Sequence, residues 1–332
     1  MEKIQIETIE MHTGGGPLRI VKTGLPSIQG KTILDKIKYL RNNLEYVRKL
    51  IIHEPRGHYD MFGVYLVDIE GADIGCIFIH NEGYSTMCGH AIIALGRYVI
   101  DHGIVQKPVS AETGIIMQCP CGPVEVFVQN DNGKTGDVRF NSVPSFLFKK
   151  DFDVEVPGYG KVTVDISYGG AFFAYMPVKQ LGLDLSTTPT DRLRNAASLV
   201  TETLKGVLEL SHPQSQDLAF LYGTILTDGK DESEESSHMC VFADKEVDRS
   251  PCGSGTTGRI AQLFGRGIIK LGQKRAFRGP AGAKFIAKAV KEVKFGCHNA
   301  VVVEVSGKGN YTGSSVFTLE ADDEIGKGFL LK

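Results

Sequence analysis

Apolar and polar residues alternate from Ile4 to Met11 with a period of two, the pattern of a strand with one buried face. His12 to Pro17 (His-Thr-Gly-Gly-Gly-Pro) reads as a turn, and Leu18 to Val21 resumes a strand. Over residues 31–50 the spacing changes: Ile33, Ile37, Leu40, Leu44, Val47 and Leu50 recur every three or four positions, which predicts a helix. Strands are expected at Met61 to Val67 and Ile74 to Ile79, then a helix from Cys88 to near Gly103. Short strands follow at 108–118, 123–128, 137–142 and 145–149. The second half repeats the order. Val162 to Ser167 is a strand, Tyr168-Gly169-Gly170 a turn and Ala171 to Met176 a strand. A helical run covers 191–208, and strands come at Leu218 to Leu226 and His238 to Ala243. A helix then runs from Cys252 to about Gly267, with strands at 284–290, 299–305 and 315–320. The pattern predicts an α+β chain of two similar domains, 1–150 and 151–332. The junction is placed between Lys149 and Lys161, where Pro157-Gly158-Tyr159-Gly160 interrupts the pattern. A cleft between the domains would receive one Cys-headed helix from each.

Those two helices carry the candidate chemistry. Cys88-Gly89-His90 and Cys252-Gly253-Ser254 each put a thiol just before an apolar run of helical period. A helix N-terminus has N–H groups without intrahelical acceptors and the positive end of the dipole, so it favours a thiolate and a bound anion. One thiol so placed is a common accident; two in matching context point to a paired function. Composition changes this picture little. The chain has 332 residues, 42% hydrophobic and 23% charged, with net charge −2. That gives no reason to expect nucleic acid or a membrane surface as partner. Apolar runs fall short of the roughly 18 residues a membrane span needs. Met1 to Gln5 lacks the apolar core of a signal peptide, so the expectation is a cytoplasmic protein. Seven dispersed cysteines do not form a secreted disulfide framework.

Two thiols on opposite sides of a planar carbon fit stereochemical inversion: one removes a proton and the other returns one to the opposite face. The carbon is then acidic because it stands beside a carboxylate, as in an amino acid. The backbone N–H groups of Gly89, His90, Gly253 and Ser254 would stabilise charge developing on the carboxylate. Asp248 is read as the anion for the substrate ammonium, ahead of a capping role or a pair with Arg249. No pattern for pyridoxal phosphate or a metal stands out, so no cofactor is expected. A cysteine hydrolase using Cys88 and His90 would leave Cys252 idle. A non-catalytic amino-acid binder would bind without exchange at the α-carbon. Cys76, Cys240 and Cys297 are read as core residues, and Cys119-Pro120-Cys121 as structural. His12 is equally suited to backbone or substrate. Gly14-Gly15-Gly16 is no dinucleotide fingerprint, and the acidic run Asp228 to Ser237 reads as a solvated tip.

Met87-Cys88-Gly89-His90 together with Asp248-Arg249-Ser250-Pro251-Cys252-Gly253-Ser254-Gly255 resembles the proline racemase family. Supporting stretches are Met11-His12-Thr13-Gly14-Gly15, Glu54-Pro55-Arg56-Gly57-His58, Asn81-Glu82-Gly83-Tyr84 and Val241-Phe242-Ala243-Asp244. The resemblance implies two domains of the diaminopimelate-epimerase kind, each a mostly antiparallel sheet wrapped around a central helix, with the last strands crossing back to the first domain. It implies Cys88 and Cys252 as the acid/base pair. Gly89, His90, Asp248, Gly253 and Ser254 would hold the substrate, with Phe242 as a pocket wall. It also implies a homodimer. The family's activities are proline racemase, 4-hydroxyproline 2-epimerase and trans-3-hydroxy-L-proline dehydratase. Much of the chain is similar to the dehydratases, including Tyr222 to Lys230, yet those typically carry Thr or Ser where Cys252 stands. Inversion needs a proton donor on the second face, so Cys252 ranks the racemase/epimerase first, acting on proline or hydroxyproline, and the dehydratase second. Gly16 departs from the Glu usual in relatives.

Overall fold

A computed structural model describes residues 4–108 and 110–331. Met1 to Lys3 of the N-terminal stretch read above, and Val109 of the strand expected at 108–118, lie outside them. In chain order the first part comprises strands β1 (Ile4–Thr13) and β2 (Gly16–Thr23), helices α1 (Ile33–Tyr39) and α2 (Glu45–Ile52), and strands β3 (Gly63–Val67), β4 (Ile74–Ile79) and β5 (Tyr84–Ser85). Helix α3 (Gly89–Asp101) and strands β6 (Glu112–Cys119), β7 (Gly122–Asp131) and β8 (Lys134–Asn141) follow. Next come β9 (Phe146–Val156), β10 (Gly160–Tyr168), β11 (Phe172–Pro177), α4 (Thr190–Lys205), β12 (Leu221–Thr227), β13 (Glu235–Phe242) and β14 (Glu246–Val247). The chain closes with α5 (Gly253–Gly265), β15 (Arg275–Arg278), β16 (Lys284–Phe295), β17 (His298–Gly307) and β18 (Gly309–Leu319). Among the described residues, no helix is long and apolar enough to cross a membrane.

The chain forms two compact units. One runs to Val138 and resumes at Lys308; the other is Arg139–Gly307. In the first, β1 pairs antiparallel with both β18 and β2, β2 parallel with β3, β3 antiparallel with β4, β4 parallel with β6 and β6 antiparallel with β7. The sheet packs on α3 through β1, β2, β7 and β18. A helix so enclosed must be apolar on all sides, and Ala91 to Leu95, Tyr98 and Val99 are all buried. On the outer side of the sheet the residues spaced three and four apart in 31–50 do their work: Ile33, Ile37, Leu40, Leu44, Val47 and Leu50 pack with Tyr65, Ile77 and Ile79. The single helix predicted there is interrupted by a π turn at Leu40–Leu44. Arg56, in the Glu-Pro-Arg-Gly-His stretch, ties the chain's end to this unit by donating to the carbonyls of Thr318 (3.1 Å) and Gly326 (2.5 Å).

The second unit repeats the pairing order. β10 and β11 are antiparallel, β11 and β12 parallel, β12 and β13 antiparallel, β13 and β15 parallel, β15 and β16 antiparallel. Its central helix is α5, packed against β9, β10, β11, β16 and β17. The two similar domains of the α+β class read from the sequence are therefore present. Lys149 to Lys161 forms the β9–β10 hairpin, inside the second unit; a Pro-Gly turn has the same signature in a hairpin as in a linker. The Tyr168-Gly169-Gly170 turn packs directly on α5. A Cβ at Gly169 would lie 2.3 Å from the Gly258 nitrogen and 2.4 Å from the Ser254 oxygen, so only glycine fits.

Two further expectations change. Cys297 is exposed rather than core. The acidic run is not merely a solvated tip: Asp231 pairs with Arg259, whose side chain is only 2% exposed and lies on α5. A buried guanidinium needs a counter-charge, and a charge run on a loop can hide one.

Candidate active site

Cys88 is the N-cap of α3, in extended conformation (φ −141°, ψ 103°), and accepts the first helical bond from Ile92 N at 3.0 Å. The strand before it is held from behind. Arg48 on α2 donates to the carbonyls of His80 (2.5 Å) and Asn81 (2.8 Å), fixing the β4–β5 turn that leads to the cysteine. Burial beside Arg48 pushes the His80 imidazole down to about 3, so it is neutral there.

His90 turns back onto Cys88. Its Nδ1 lies 3.3 Å from Cys88 Sγ, and its Nε2 is 3.1 Å from the Pro17 carbonyl. A carbonyl only accepts, so Nε2 carries a hydrogen and Nδ1 of the neutral ring presents a lone pair to the sulfur. The thiol can thus pass its proton to His90 and become a thiolate beside an imidazolium. Phe62 closes the other side of the ring, edge-on at 5.1 Å between centroids. His12 resolves to the backbone role: its Nδ1 accepts from Gly15 N at 3.2 Å within its own turn.

In the second unit Cys252 is the N-cap of α5 in a left-handed conformation (φ 58°, ψ 110°), a strained backbone for a residue with a Cβ. Its sulfur accepts from Gly255 N at 3.3 Å, and Ser254 Oγ lies 3.8 Å away. A Cβ at Gly255 would sit 3.0 Å from that sulfur and 2.5 Å from Ile225 Cδ1, so the cap requires glycine there. Tyr175 Oη donates to the Gly255 carbonyl at 2.8 Å, and His238 Nε2 donates to the Pro251 carbonyl. Asp248 Oδ1 accepts from Ser250 N at 2.8 Å, and Ser250 Oγ accepts from Cys252 N at 3.0 Å, so the acidic residue shapes the loop that delivers the cysteine. Phe242 stacks on Tyr222 with centroids 5.2 Å apart.

The residues singled out from the sequence thus fall into two sets, Cys88, Gly89 and His90 in one unit and Phe242, Asp248, Cys252, Gly253 and Ser254 in the other. All are buried. Sequence reading missed the neighbours that hold them. His238, which donates to the Pro251 carbonyl, is one of them, and Cys240, assigned to the core, is fully buried on the same strand. His238 and Cys240 alternate with period two on one strand, so a shared face was the available signal.

A family model described as proline racemase matches residues 8–330. A trans-L-3-hydroxyproline dehydratase of Xenopus tropicalis is 52% identical over 332 residues, covering 98% of this chain and 95% of that protein. A 3-hydroxyproline 2-epimerase of Burkholderia multivorans is 39% identical over 330 residues, covering 98% of each. Among solved structures, a hydroxyproline epimerase from Agrobacterium vitis, bound to trans-4-hydroxy-L-proline, has the same fold. The TM-score is 0.92 at 24% identity, with 99% of this chain and 95% of that one covered.

Proposed function

The chain is an enzyme that belongs to the proline racemase family, and from that premise we propose that it dehydrates trans-3-hydroxy-L-proline. The observation that carries this is the 52% identity to a dehydratase of that substrate along nearly the whole of both chains. It reverses the order in which the cysteines alone ranked the two activities. Stereochemistry supplies a physical reason. In trans-3-hydroxy-L-proline the carboxylate and the 3-hydroxyl lie on opposite ring faces, so the α-hydrogen and the hydroxyl share a face. One group on that face suffices. Cys88, deprotonated by His90, takes the α-proton; the C–H electron pair becomes the C2=C3 bond; the C3–O bond breaks; and the departing oxygen takes the proton and leaves as water. The product is a pyrroline carboxylate. Charge that builds on the carboxylate would be met by helix N-terminal N–H groups, those of Gly89 and His90 on α3 and of Gly253 and Ser254 on α5. Asp248 would take the substrate ammonium and Phe242 would line the ring.

A second reading keeps inversion of the α-carbon of proline or hydroxyproline, and the observation favouring it is Cys252. Elimination does not need a thiol on the second face; inversion does. This reading takes the two units as the two domains that deliver the thiols, in a homodimer, and needs no metal or cofactor. Trans-3-hydroxy-L-proline and L-proline assayed side by side in D2O separate the two. Pyrroline product from the first substrate supports dehydration, and its absence sinks it. Deuterium at Cα with loss of optical rotation in the second supports inversion; L-proline recovered unchanged removes it.

A further inference from the structure

Hydroxide is a poor leaving group, so the 3-hydroxyl of the proposed substrate needs a proton as the C3–O bond breaks. The thiol that takes the α-proton is a weak source, because a thiol is ordinarily a weaker acid than an imidazolium by about two pH units. Cys88 and His90 are 6% and 3% exposed, so solvent water is largely shut out. The donor has to stand on the face that carries Cys88, where the α-hydrogen and the hydroxyl lie together.

His90 stands in that place. Its Nδ1 is 3.3 Å from Cys88 Sγ, and β2 fixes the ring from two sides. The pairing of His12 with Pro17 between β1 and β2 sets the Pro17 carbonyl, which accepts from Nε2 at 3.1 Å. Phe62, edge-on to the ring, is tied to β2 by Arg19 N, which donates to the Phe62 carbonyl at 2.9 Å. Turning the ring over would break the Nε2 bond, so Nδ1 is the nitrogen that gains and loses the proton. The nearby histidines do not compete. His80 stacks on Phe62 with centroids 6.0 Å apart, but burial pushes it down to about 3, so it stays neutral. His12 faces Gly15 N in its own turn.

We propose that His90 is the acid of the dehydration, giving its Nδ1 proton to the departing 3-hydroxyl oxygen while Cys88 takes the α-proton. This deepens the dehydration reading and rests on it. Before reaction the pair is a thiolate and an imidazolium. The thiolate takes the α-proton, and the C–H electron pair becomes the C2=C3 bond. The C3–O bond breaks with its electrons going to oxygen, and that oxygen takes the Nδ1 proton and leaves as water. A thiol and a neutral imidazole remain. The thiol then passes its proton to Nδ1, which restores thiolate and imidazolium without a proton from outside. The α-proton of one substrate molecule thus becomes the acid for the next.

The test compares two leaving groups. Trans-3-chloro-L-proline presents the same face with chloride, which leaves without a proton. His90→Asn is expected to lower kcat about 10²-fold with trans-3-hydroxy-L-proline. With the chloro analogue the loss should be no more than about tenfold, the part that comes from losing the acceptor beside Cys88. The readout is the ratio of the two losses in one preparation, followed as pyrroline product and released chloride. Inactive protein lowers both rates alike, so a merely structural role does not move that ratio. His90→Gln replaces the asparagine variant if that one does not fold. Equal losses overturn the proposal, and so does a parent that dehydrates the hydroxy substrate but releases no chloride from the analogue. A parent that forms no pyrroline from the hydroxy substrate refutes the dehydration reading and the proposal with it; equal losses in an active parent refute only the role of His90.

Discussion

The N-termini of α3 and α5 occupy matching places in matching units, and their cysteines are surrounded by opposite proton chemistry. Cys88 has an extended backbone and a proton acceptor, the Nδ1 of His90, whose hydrogen is kept on Nε2 by the Pro17 carbonyl. Cys252 has a strained left-handed backbone, and its sulfur accepts from a donor, Gly255 N. The dipole and the N–H groups at a helix start are common to both. What differs is whether a neighbouring group can take the proton away. In the first unit an imidazole nitrogen faces the thiol; in the second a backbone N–H faces the sulfur. That asymmetry suits a one-face elimination better than a symmetric exchange, and it agrees with the similarity to dehydratases.

The strongest test of the comparison is Cys88→Ser, expected to lower both dehydration and any inversion by 10³-fold or more, read as kcat with each substrate. Retained dehydration would remove Cys88 as the base. Cys252→Ser should abolish inversion to a similar degree while dehydration falls by less than about tenfold. Equal losses in both reactions would mean that the two termini are not asymmetric after all. His90→Asn is expected to cost about 10²-fold in kcat, because the thiol loses its internal proton acceptor. An unchanged kcat would show that the 3.3 Å contact is only structural. The smallest effect is on stability. His238, buried under the Cys252 loop, is pushed down to about 4 from 6.5. Above pH 6.5 both folded and unfolded forms are neutral. As pH falls toward 4, the unfolded chain binds a proton that the folded one refuses, so stability drops, by up to roughly 3 kcal/mol. Thermal melting between pH 7 and pH 4 should show this loss, and His238→Asn should flatten it; an unchanged slope would place the acid sensitivity elsewhere.

Much of this was legible in the sequence. The alternation in Ile4–Met11, the three- and four-residue spacing from Ile33 to Leu50, and the Cys-Gly starts of both central helices appear as expected. Less legible were features where one local signal serves two structures. Pro157-Gly158 reads alike as a linker and as the turn of β9–β10. Asp231 in a polar loop reads as solvated until Arg259 is found behind it.

Order along the chain therefore determined the elements, the two helix-starting thiols and the family, since each depends on residues within a few positions of one another. Folding decided the character of each thiol. His90 is two residues from Cys88, but its tautomer is fixed by a carbonyl 73 positions away. Cys252 starts its own helix, but the loop that delivers it is held by His238, on a strand that only folding brings under the Pro251 carbonyl. Proton affinity depends on atoms within about 4 Å in space, and a linear order of residues does not contain those distances.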